Sequence, residues 1–300
     1  MSKLEKRLIW IDIAKGIGLF LVILGHMPSL PEWFRLWIFS FHMPLFFFLS
    51  GYTSKSSEDT PLVIFLKKAI KRYLLPYYLY SGIVILFKFI CVNTDSRSVQ
   101  DILYDTFIGQ GGNHILWFFF AMFWINIISY AINRCVKVGY SMVLSIFLYV
   151  VFCFLAHYNI PNVFKIMSAG IGLIYYQLGQ FCDDKTIKKI LSLKSFVIMV
   201  VINVLGSAIV IINFGLILDI NFVMIHNCVI SSIIAVCGVG AVCCVSNYME
   251  MIMEKKNSLY YPIKYIQHVG QNTFYFFPIT AIVPSIVMSI TNGETVRKLE

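Results

Sequence analysis

The sequence predicts an all-α fold, a polytopic transmembrane helical bundle of about nine to ten spans, on two observations. Of its 300 residues, 59% are hydrophobic and 13% are charged, with a mean hydropathy of +0.78, whereas soluble domains contain about 25% charged residues. Apolar runs of about 20 residues also recur along the chain, as spanning helices require. No Gly/Ser/Pro-rich linker interrupts them, so we expect one integral-membrane domain over 1–300 and exclude an ordinary soluble enzyme.

Each span is placed where an apolar run reaches the thickness of the bilayer core. The predicted spans are 8–27, 33–54, 74–92, 114–133, 139–157, 166–182, 195–214, 222–247 and 270–290. Of the 24 lysines and arginines, 17 then lie on the side of the N-terminus, six lie on the other side, and Lys15 lies within a span. This bias predicts a multi-pass protein of the cell membrane with a cytoplasmic N-terminus. It also accounts for the net charge of +9 without a nucleic-acid partner.

The eight cysteines predict neither a metal site nor a disulfide framework. Most of them fall within the predicted spans, and none has CxxC spacing. We therefore interpret them as buried, inert thiols and expect no metal.

A line of ionisable side chains runs through the first span. On a helix that advances about 100° per residue, Asp12, Lys15 and His26 fall within roughly 60° of one another. Charged groups in a span rarely face lipid, so the line predicts a functional site. His26, at its outer end, is then a candidate general base, and Asp12 can pair with Lys15. The alternatives are a histidine bonded at the membrane interface and a charge pair that only anchors the cytoplasmic end.

The second predicted span contains a histidine beside a proline. Pro44 lacks the backbone N–H of a helical residue, so we expect a kink or an opening near His42. The connection between the first two spans is short, which makes them antiparallel neighbours and brings His42 close to His26. The alternative is a histidine bonded to a carbonyl group that the proline leaves free.

A histidine and a tryptophan lie at the outer end of the fourth predicted span. His114 and Trp117 follow the long segment 93–113, which we interpret as an external loop that can act as a lid. Trp117 and His114 are candidates for binding a sugar or an acyl chain. An interfacial aromatic belt explains the tryptophan equally well.

A basic amphipathic segment precedes the third predicted span. Residues 59–73 have apolar residues at helical spacing, and we expect them to lie on the cytoplasmic surface before Pro76 begins the span. Lys71 and Arg72 in this segment are candidates for binding the phosphates of a nucleotide cofactor. Their alternative role is to anchor the chain on the cytoplasmic side.

Five blocks of the sequence, taken in order, resemble the membrane-bound acyltransferase-3 family, in particular its fucose 4-O-acetylase-like branch. The blocks are RLIWIDIAKGIGLFLVILGH, SFHMPLFFFLSGY, KKAIKRYLLPYY, ILWFFFAMFW and YIQHVGQNTFYF. The first two are the most specific, and the resemblance extends over the whole chain.

The resemblance implies transfer of an acyl group, usually acetyl from cytoplasmic acetyl-CoA, to a hydroxyl of a cell-surface carbohydrate. The histidine that closes the first helix is the essential catalytic residue in the family motif, and it matches His26. The acidic and basic positions of that motif match Asp12 and Lys15, and the histidine of the second block matches His42. Many relatives have a further histidine at the position of Thr280, so a role for a C-terminal histidine is unsupported here.

We therefore expect acetyl-CoA to bind from the cytoplasm, with its phosphates near Lys71, Arg72 and Lys15. His26 then either deprotonates the acceptor hydroxyl or briefly carries the acetyl group. His42, or the backbone near Pro44, is expected to stabilise the oxyanion. Two other functions remain open from the residues alone: a transporter or flippase that uses the charged line as a path, and a non-enzymatic assembly or sensor protein. The sequence does not indicate an oligomeric state.

Overall fold

The computed structural model describes residues 8–27, 29–54, 60–87, 98–110, 116–136, 138–158, 160–215, 218–255, 258–277, 279–280 and 282–283. These residues form a bundle of α-helices with one two-stranded hairpin. The α-helices are α1 Ile9–Gly25, α2 Glu32–Phe39, α3 His42–Thr53, α4 Leu62–Ala69, α5 Leu75–Phe87, α6 Val99–Phe107, α7 Trp117–Cys135, α8 Val138–Ala156, α9 Ile166–Phe181, α10 Asp184–Ile190, α11 Leu193–Phe214, α12 Cys228–Glu254 and α13 Tyr260–Gln271. The predicted all-α fold is confirmed.

The described helices are long and apolar enough for five membrane spans. These are Glu32–Thr53, Trp117–Cys135, Gly139–Ala156, Leu193–Phe214 and Cys228–Glu254. The predicted number of nine to ten is therefore not confirmed, although helices occupy most of each of the first eight predicted spans. In the first and sixth predicted spans, the helices α1 and α9 have only 17 and 16 residues, which is short for a membrane span. Of the ninth predicted span, 270–290, the described residues are 270–277, 279–280 and 282–283.

The segment predicted as a long external loop contains a helix. Within 93–113, α6 occupies Val99–Phe107. The Ser98 hydroxyl accepts a hydrogen bond from the Asp101 N–H at 3.1 Å, which satisfies one of the N–H groups that the first helical turn leaves unpaired. Residues 93–97 and 111–113 of this segment lie outside the described residues.

A hairpin occupies the start of the eighth predicted span. Strand β1 (Leu218–Asp219) pairs antiparallel with β2 (Met224–Ile225), and α12 begins only at Cys228. The apolar run from residue 222 predicts a helix, but the Asp219 carboxylate accepts hydrogen bonds from the N–H groups of Asn221 and Phe222 at 3.0 and 3.2 Å. Such side-chain bonds compete with helical hydrogen bonds and stabilise a turn.

The basic amphipathic segment is helical and continues into the next helix. A π turn, Ile70–Leu74, joins α4 to α5, so Pro76 lies inside the helical segment and does not begin it. A proline removes one i→i−4 hydrogen bond, and the wider turn just before Pro76 accommodates that loss. Phe65 of α4 is buried and stacks on Tyr130 with ring centroids 4.1 Å apart.

Glycines bring the central helices into contact. A Cβ at Gly51 of α3 would overlap the Tyr176 carbonyl of α9, and a Cβ at Gly270 of α13 would overlap the Asp12 carbonyl of α1. Small residues at helix contacts are typical of membrane bundles. Because α3 runs antiparallel to α1, Tyr52 near its end packs on Trp10 with centroids 5.4 Å apart. We call the two ends of the bundle the Asp12 end and the His26 end.

Candidate functional site

His26 lies immediately beyond the end of α1. It is the C-cap residue, and its N–H donates to the Ile23 carbonyl at 3.2 Å. Gly25 allows α2 to pack closely, because a Cβ there would be 2.9 Å from the Phe39 ring. As a result, the His26 imidazole contacts the Phe39 ring with centroids 5.4 Å apart.

His42 lies where the second spanning helix is interrupted. Ser40 and Phe41 separate α2 from α3, four and three residues before Pro44. The Pro44 nitrogen cannot donate to the Ser40 carbonyl, and the proline ring crowds that carbonyl, so the break falls one turn before the proline. The helix is therefore interrupted close to His42, where a kink or an opening was expected.

The hydrogen bond of His42 determines which of its nitrogens carries a proton. The imidazole is buried, and its Nδ1 lies 2.9 Å from the Ile38 carbonyl oxygen. A carbonyl only accepts, so Nδ1 must donate, and Nε2 of the neutral ring is then an acceptor. The ring also packs on Phe39, with centroids 5.1 Å apart. Phe39 therefore contacts both His26 and His42.

His26, His42 and Trp117 line one small cavity at the His26 end. Its volume is about 50 Å³, which is room for a small reacting group and not for a sugar. The lining residues are His26, Phe39, His42, Met43, Trp117, Asp219, Ile220, Asn221 and Phe222. Trp117, the first residue of α7, is 6% exposed. We call this space the histidine cavity.

The hairpin supplies the wall of the histidine cavity that sequence reasoning missed. Asp219 and Asn221 lie between α11 and α12, outside the spanning helices. Burial raises the pKa of Asp219, and the hydrogen bonds from the Asn221 and Phe222 N–H groups act in the opposite direction. The signal in the sequence was a pair of polar residues in an otherwise apolar stretch, which is unfavourable inside a span.

The structure places Asp12 far from this cavity. The Asp12 carboxylate is buried and accepts a hydrogen bond from Gln271 Nε2 at 3.3 Å. Fourteen residues separate Asp12 from His26, which corresponds to about 21 Å along the helix axis. Lys15 is half-buried on the same helix, one turn from Asp12. The polar line therefore extends along α1, with its members in different surroundings.

Lys71 and Arg72 lie with the Asp12 end, on the exposed side of the π turn. The Arg72 guanidinium is 5.4 Å from the centre of the Tyr73 ring. The Tyr73 hydroxyl in turn accepts a hydrogen bond from Asn126 Nδ2 at 3.2 Å. The basic surface is thus attached to a polar network inside the bundle.

The remaining predictions concern His114, metal binding and the cysteines. His114 lies outside the described residues. The described residues include no group of three or more His, Cys, Asp or Glu side chains that could hold a metal ion. The seven cysteines among them are free thiols.

Chemically, the histidine cavity brings two imidazoles to one small space, beside which His42 and Trp117 are buried. An imidazole there can accept a proton from a hydroxyl, and a buried site strengthens its electrostatic interactions with a reacting group. The concentration of basic side chains lies at the other end of the bundle. This separation suits a reaction in which a charged cofactor and a second substrate approach from opposite ends.

Comparison with known proteins identifies the family of the chain. The acyltransferase-3 family model, described as an acyltransferase domain, matches residues 8–288. Neither a curated protein nor a solved structure matches the chain. The family match extends over both histidines, the hairpin and the basic segment. The chain therefore belongs to the acyltransferase-3 family and is a membrane acyltransferase.

Proposed function

We propose that the protein is an O-acetyltransferase of the cell membrane that uses cytoplasmic acetyl-CoA to acetylate a hydroxyl of a cell-surface carbohydrate. The observation that carries the proposal is the histidine cavity, in which His26 and His42 lie together at the opposite end of α1 from Asp12. A membrane acyltransferase needs a base near the acceptor and a binding surface for the donor. The imidazoles at the His26 end suit the first requirement, and the exposed cations at the Asp12 end suit the second.

The donor is assigned to the Asp12 end. Exposed cations at Lys71 and Arg72, together with half-buried Lys15, suit the phosphates of CoA. By sequence, 17 of the 24 lysines and arginines fall on the predicted side of the N-terminus, which favours a cytoplasmic position for the end of the bundle where α1 begins. The pantetheine arm of acetyl-CoA then extends along α1 towards His26, over about 16 Å from Lys15.

The acceptor hydroxyl reaches His26 from the other side of the membrane. In direct transfer, the hydroxyl oxygen attacks the thioester carbonyl carbon, a C–O bond forms and the C–S bond breaks. His26 takes the hydroxyl proton and returns it to the CoA sulfur. In the two-step route, the unprotonated imidazole nitrogen of His26 attacks the thioester carbon, the C–S bond breaks and CoA leaves as a thiolate. The acceptor hydroxyl then displaces that nitrogen, and the hydroxyl proton passes through the imidazole to the thiolate. Both routes give an acetyl ester and free CoA.

His42 acts as a hydrogen-bond acceptor in this proposal. With Nδ1–H bonded to the Ile38 carbonyl, Nε2 of the neutral ring has no proton to donate to an oxyanion. The expected oxyanion role therefore fits the backbone better than it fits neutral His42. The first turn of α3, at His42 and Met43, has N–H groups without partners inside the helix, and Met43 lines the cavity.

The test is transfer of labelled acetyl from acetyl-CoA by the purified full-length protein, with cell-envelope glycans as acceptors. His26→Ala is expected to lower the transfer rate by about 10²–10⁴-fold, because it removes the general base or the acyl carrier. His268→Ala is the matched control, since His268 is exposed on α13. Transfer to glycans at the normal rate in His26→Ala would remove the assignment. Movement of a glycan without acetylation would favour the transporter instead.

A further inference from the structure

A second and larger cavity adjoins the histidine cavity. Its volume is about 540 Å³, within the range of about 300–1,000 Å³ that is typical of small-molecule sites. The lining residues are Gln110, Ala156, His157, Ile160, Asn162, Lys165, Asn221, Phe222, Val223, Met224 and Ile225. Asn221 and Phe222 also line the histidine cavity. The tip of the hairpin is therefore a wall that the two cavities share. We call the larger cavity the outer cavity.

A buried cation lies in the wall of the outer cavity. Lys165 is 7% exposed, and its ammonium donates to the Asn221 side-chain oxygen at 2.9 Å. An ammonium group has three donors, and the described residues use one of them, with a neutral amide as the acceptor. Asp219 interacts electrostatically with Lys165, while its carboxylate accepts hydrogen bonds from two N–H groups of the hairpin turn. A buried cation with this partial pairing is suited to an anionic ligand.

The backbone around Lys165 is held in an uncommon conformation. Phe164, Lys165 and Val223 have φ of 54°, 57° and 60°, and they are the described non-glycine residues with positive φ. All three lie in or next to the wall of the outer cavity. Non-glycine residues adopt this region infrequently, and such residues cluster at functional sites.

Hydrogen bonds fix the segment that carries Lys165 against the hairpin. The Asn162 amide donates to the Asn221 carbonyl at 3.1 Å and to the Ser168 hydroxyl at 2.7 Å. The Ser168 hydroxyl donates to the Ile220 carbonyl at 2.6 Å. The cation is thus held in place before any ligand binds, which lowers the entropic cost of binding.

Lys165 also differs from Arg35, the other described basic residue at this end of the bundle. Six basic residues fall on the side of the membrane opposite the predicted N-terminus. Of these six, Arg35 and Lys165 are among the described residues. Arg35 forms an ion pair with Glu32 at 3.6 Å. Lys165 is the buried one of the two, and it lies beside the reaction site.

We propose that the outer cavity binds the acceptor and selects a saccharide unit that carries an anionic group, a carboxylate or a phosphate, which contacts Lys165. This inference rests on the proposed function, because it names the class of acceptor that the histidine cavity acetylates. The sugar occupies the outer cavity, and one of its hydroxyls passes Asn221 and Phe222 to reach His26. The neighbouring side chains of Gln110 and His157 are exposed at the cavity and suit the remaining hydroxyls.

The experiment measures binding directly, so that it does not depend on catalysis. The purified full-length protein, without donor, is titrated with glucuronic acid, a hexose phosphate, glucose and glycerol phosphate in phosphate-free buffer. We expect at least one anionic sugar to bind about tenfold more tightly than glucose. We expect Lys165→Met to lose that preference and Lys165→Arg to retain most of it. The matched control is Arg35→Gln, which removes the ion-paired cation and should leave the preference unchanged.

Four results would overturn the proposal: equal binding of glucose and both anionic sugars, an unchanged preference in Lys165→Met, no binding of any probe, or, where hexose phosphate is the preferred sugar, equally tight binding of glycerol phosphate. The last result indicates a phosphate site that does not recognise the sugar. Retention of the preference by Lys165→Arg separates loss of charge from loss of folding. Failure of this proposal leaves the transfer assay with His26→Ala unaffected, so the two proposals fail separately.

Discussion

The two ends of the bundle handle polar groups in opposite ways. At the His26 end, the described residues His42 and Lys165 are buried, near the helix break, the hairpin and the positive-φ segment. At the Asp12 end, the basic side chains of α4 and the π turn are exposed, and Gly270 lets α13 pack closely on α1.

This contrast suggests different roles for the two ends, the reacting step at the His26 end and ligand binding by exposed cations at the Asp12 end. Enclosed groups have fixed positions and little solvent, so changing one should mainly affect the reacting step. Exposed cations attract a ligand through solvent-screened forces, so changing one should mainly affect the affinity for that ligand. The predictions below test this separation, from the largest expected effect to the smallest.

His42→Ala should lower the rate of transfer by about 10²-fold or more with little change in the KM for acetyl-CoA. The reason is that His42 lines the cavity at the His26 end, whereas the donor is assigned to the other end. The measurement is steady-state transfer with varied acetyl-CoA. His226→Ala serves as the control, because His226 is exposed and stacks on Phe214. A raised KM with an unchanged kcat would contradict the separation of the two ends.

Gly270→Ala should destabilise the protein by about 1–3 kcal/mol. The added Cβ would overlap the Asp12 carbonyl, so α13 must move away from α1. Thermal unfolding in detergent measures the effect. The matched control is Gly139→Ala in α8, where a Cβ meets nothing within 4 Å. An equal response of the two variants would show that close packing at Gly270 is not important for stability.

Lys165 should make binding of an anionic acceptor depend on pH. Burial lowers its pKa from 10.5 to about 8, and nearby Asp219 acts in the opposite direction. The charged form is present below that pKa and is lost as the pH rises through about 8, so affinity should fall by about tenfold between pH 7 and pH 9. His157, at the end of α8, is the other ionisable residue of the described cavity lining. In Lys165→Arg the loss should disappear, because arginine stays charged. An identical pH profile in that variant would assign the titration to another group.

The double variant Lys71→Gln/Arg72→Gln should raise the KM for acetyl-CoA by about three- to tenfold, with kcat within about twofold of the wild type. The exposed cations contribute attraction that salt screens, so the difference in KM should shrink at high ionic strength. Lys264→Gln on α13 is the control, since it removes an exposed cation of another helix. A fall in kcat without a change in KM would place these residues in the chemistry.

Much of the helical architecture could be predicted from the sequence, because apolar runs of spanning length specify helices almost independently of their neighbours. The proximity of His26 and His42 was also predictable, from the short connection between their helices and from Pro44. Each of these inferences depends on residues that are close in sequence.

The outer cavity and the hairpin were not predictable in the same way. Residues 222–225 are apolar and were predicted to be part of a span. The nearby polar pair Asp219 and Asn221 does not specify a hairpin by itself, and the turn is visible in the hydrogen bonds that the Asp219 carboxylate accepts from the Asn221 and Phe222 N–H groups. In the sequence, Lys165 counted merely as one of the six basic residues outside the 17 on the side of the N-terminus, because its burial depends on Asn221, 56 residues further along the chain. Contacts over such separations have no local signature.

The interruption at Ser40 and Phe41 also affects how variants of the second span should be chosen. Because α2 and α3 are separate helices, a single helical wheel drawn through residues 32–53 assigns the wrong azimuth to every position after the interruption. Two wheels with independent phase are needed, one for each segment. Cysteine-scanning accessibility along this span should accordingly show a jump in its periodicity between residues 39 and 42.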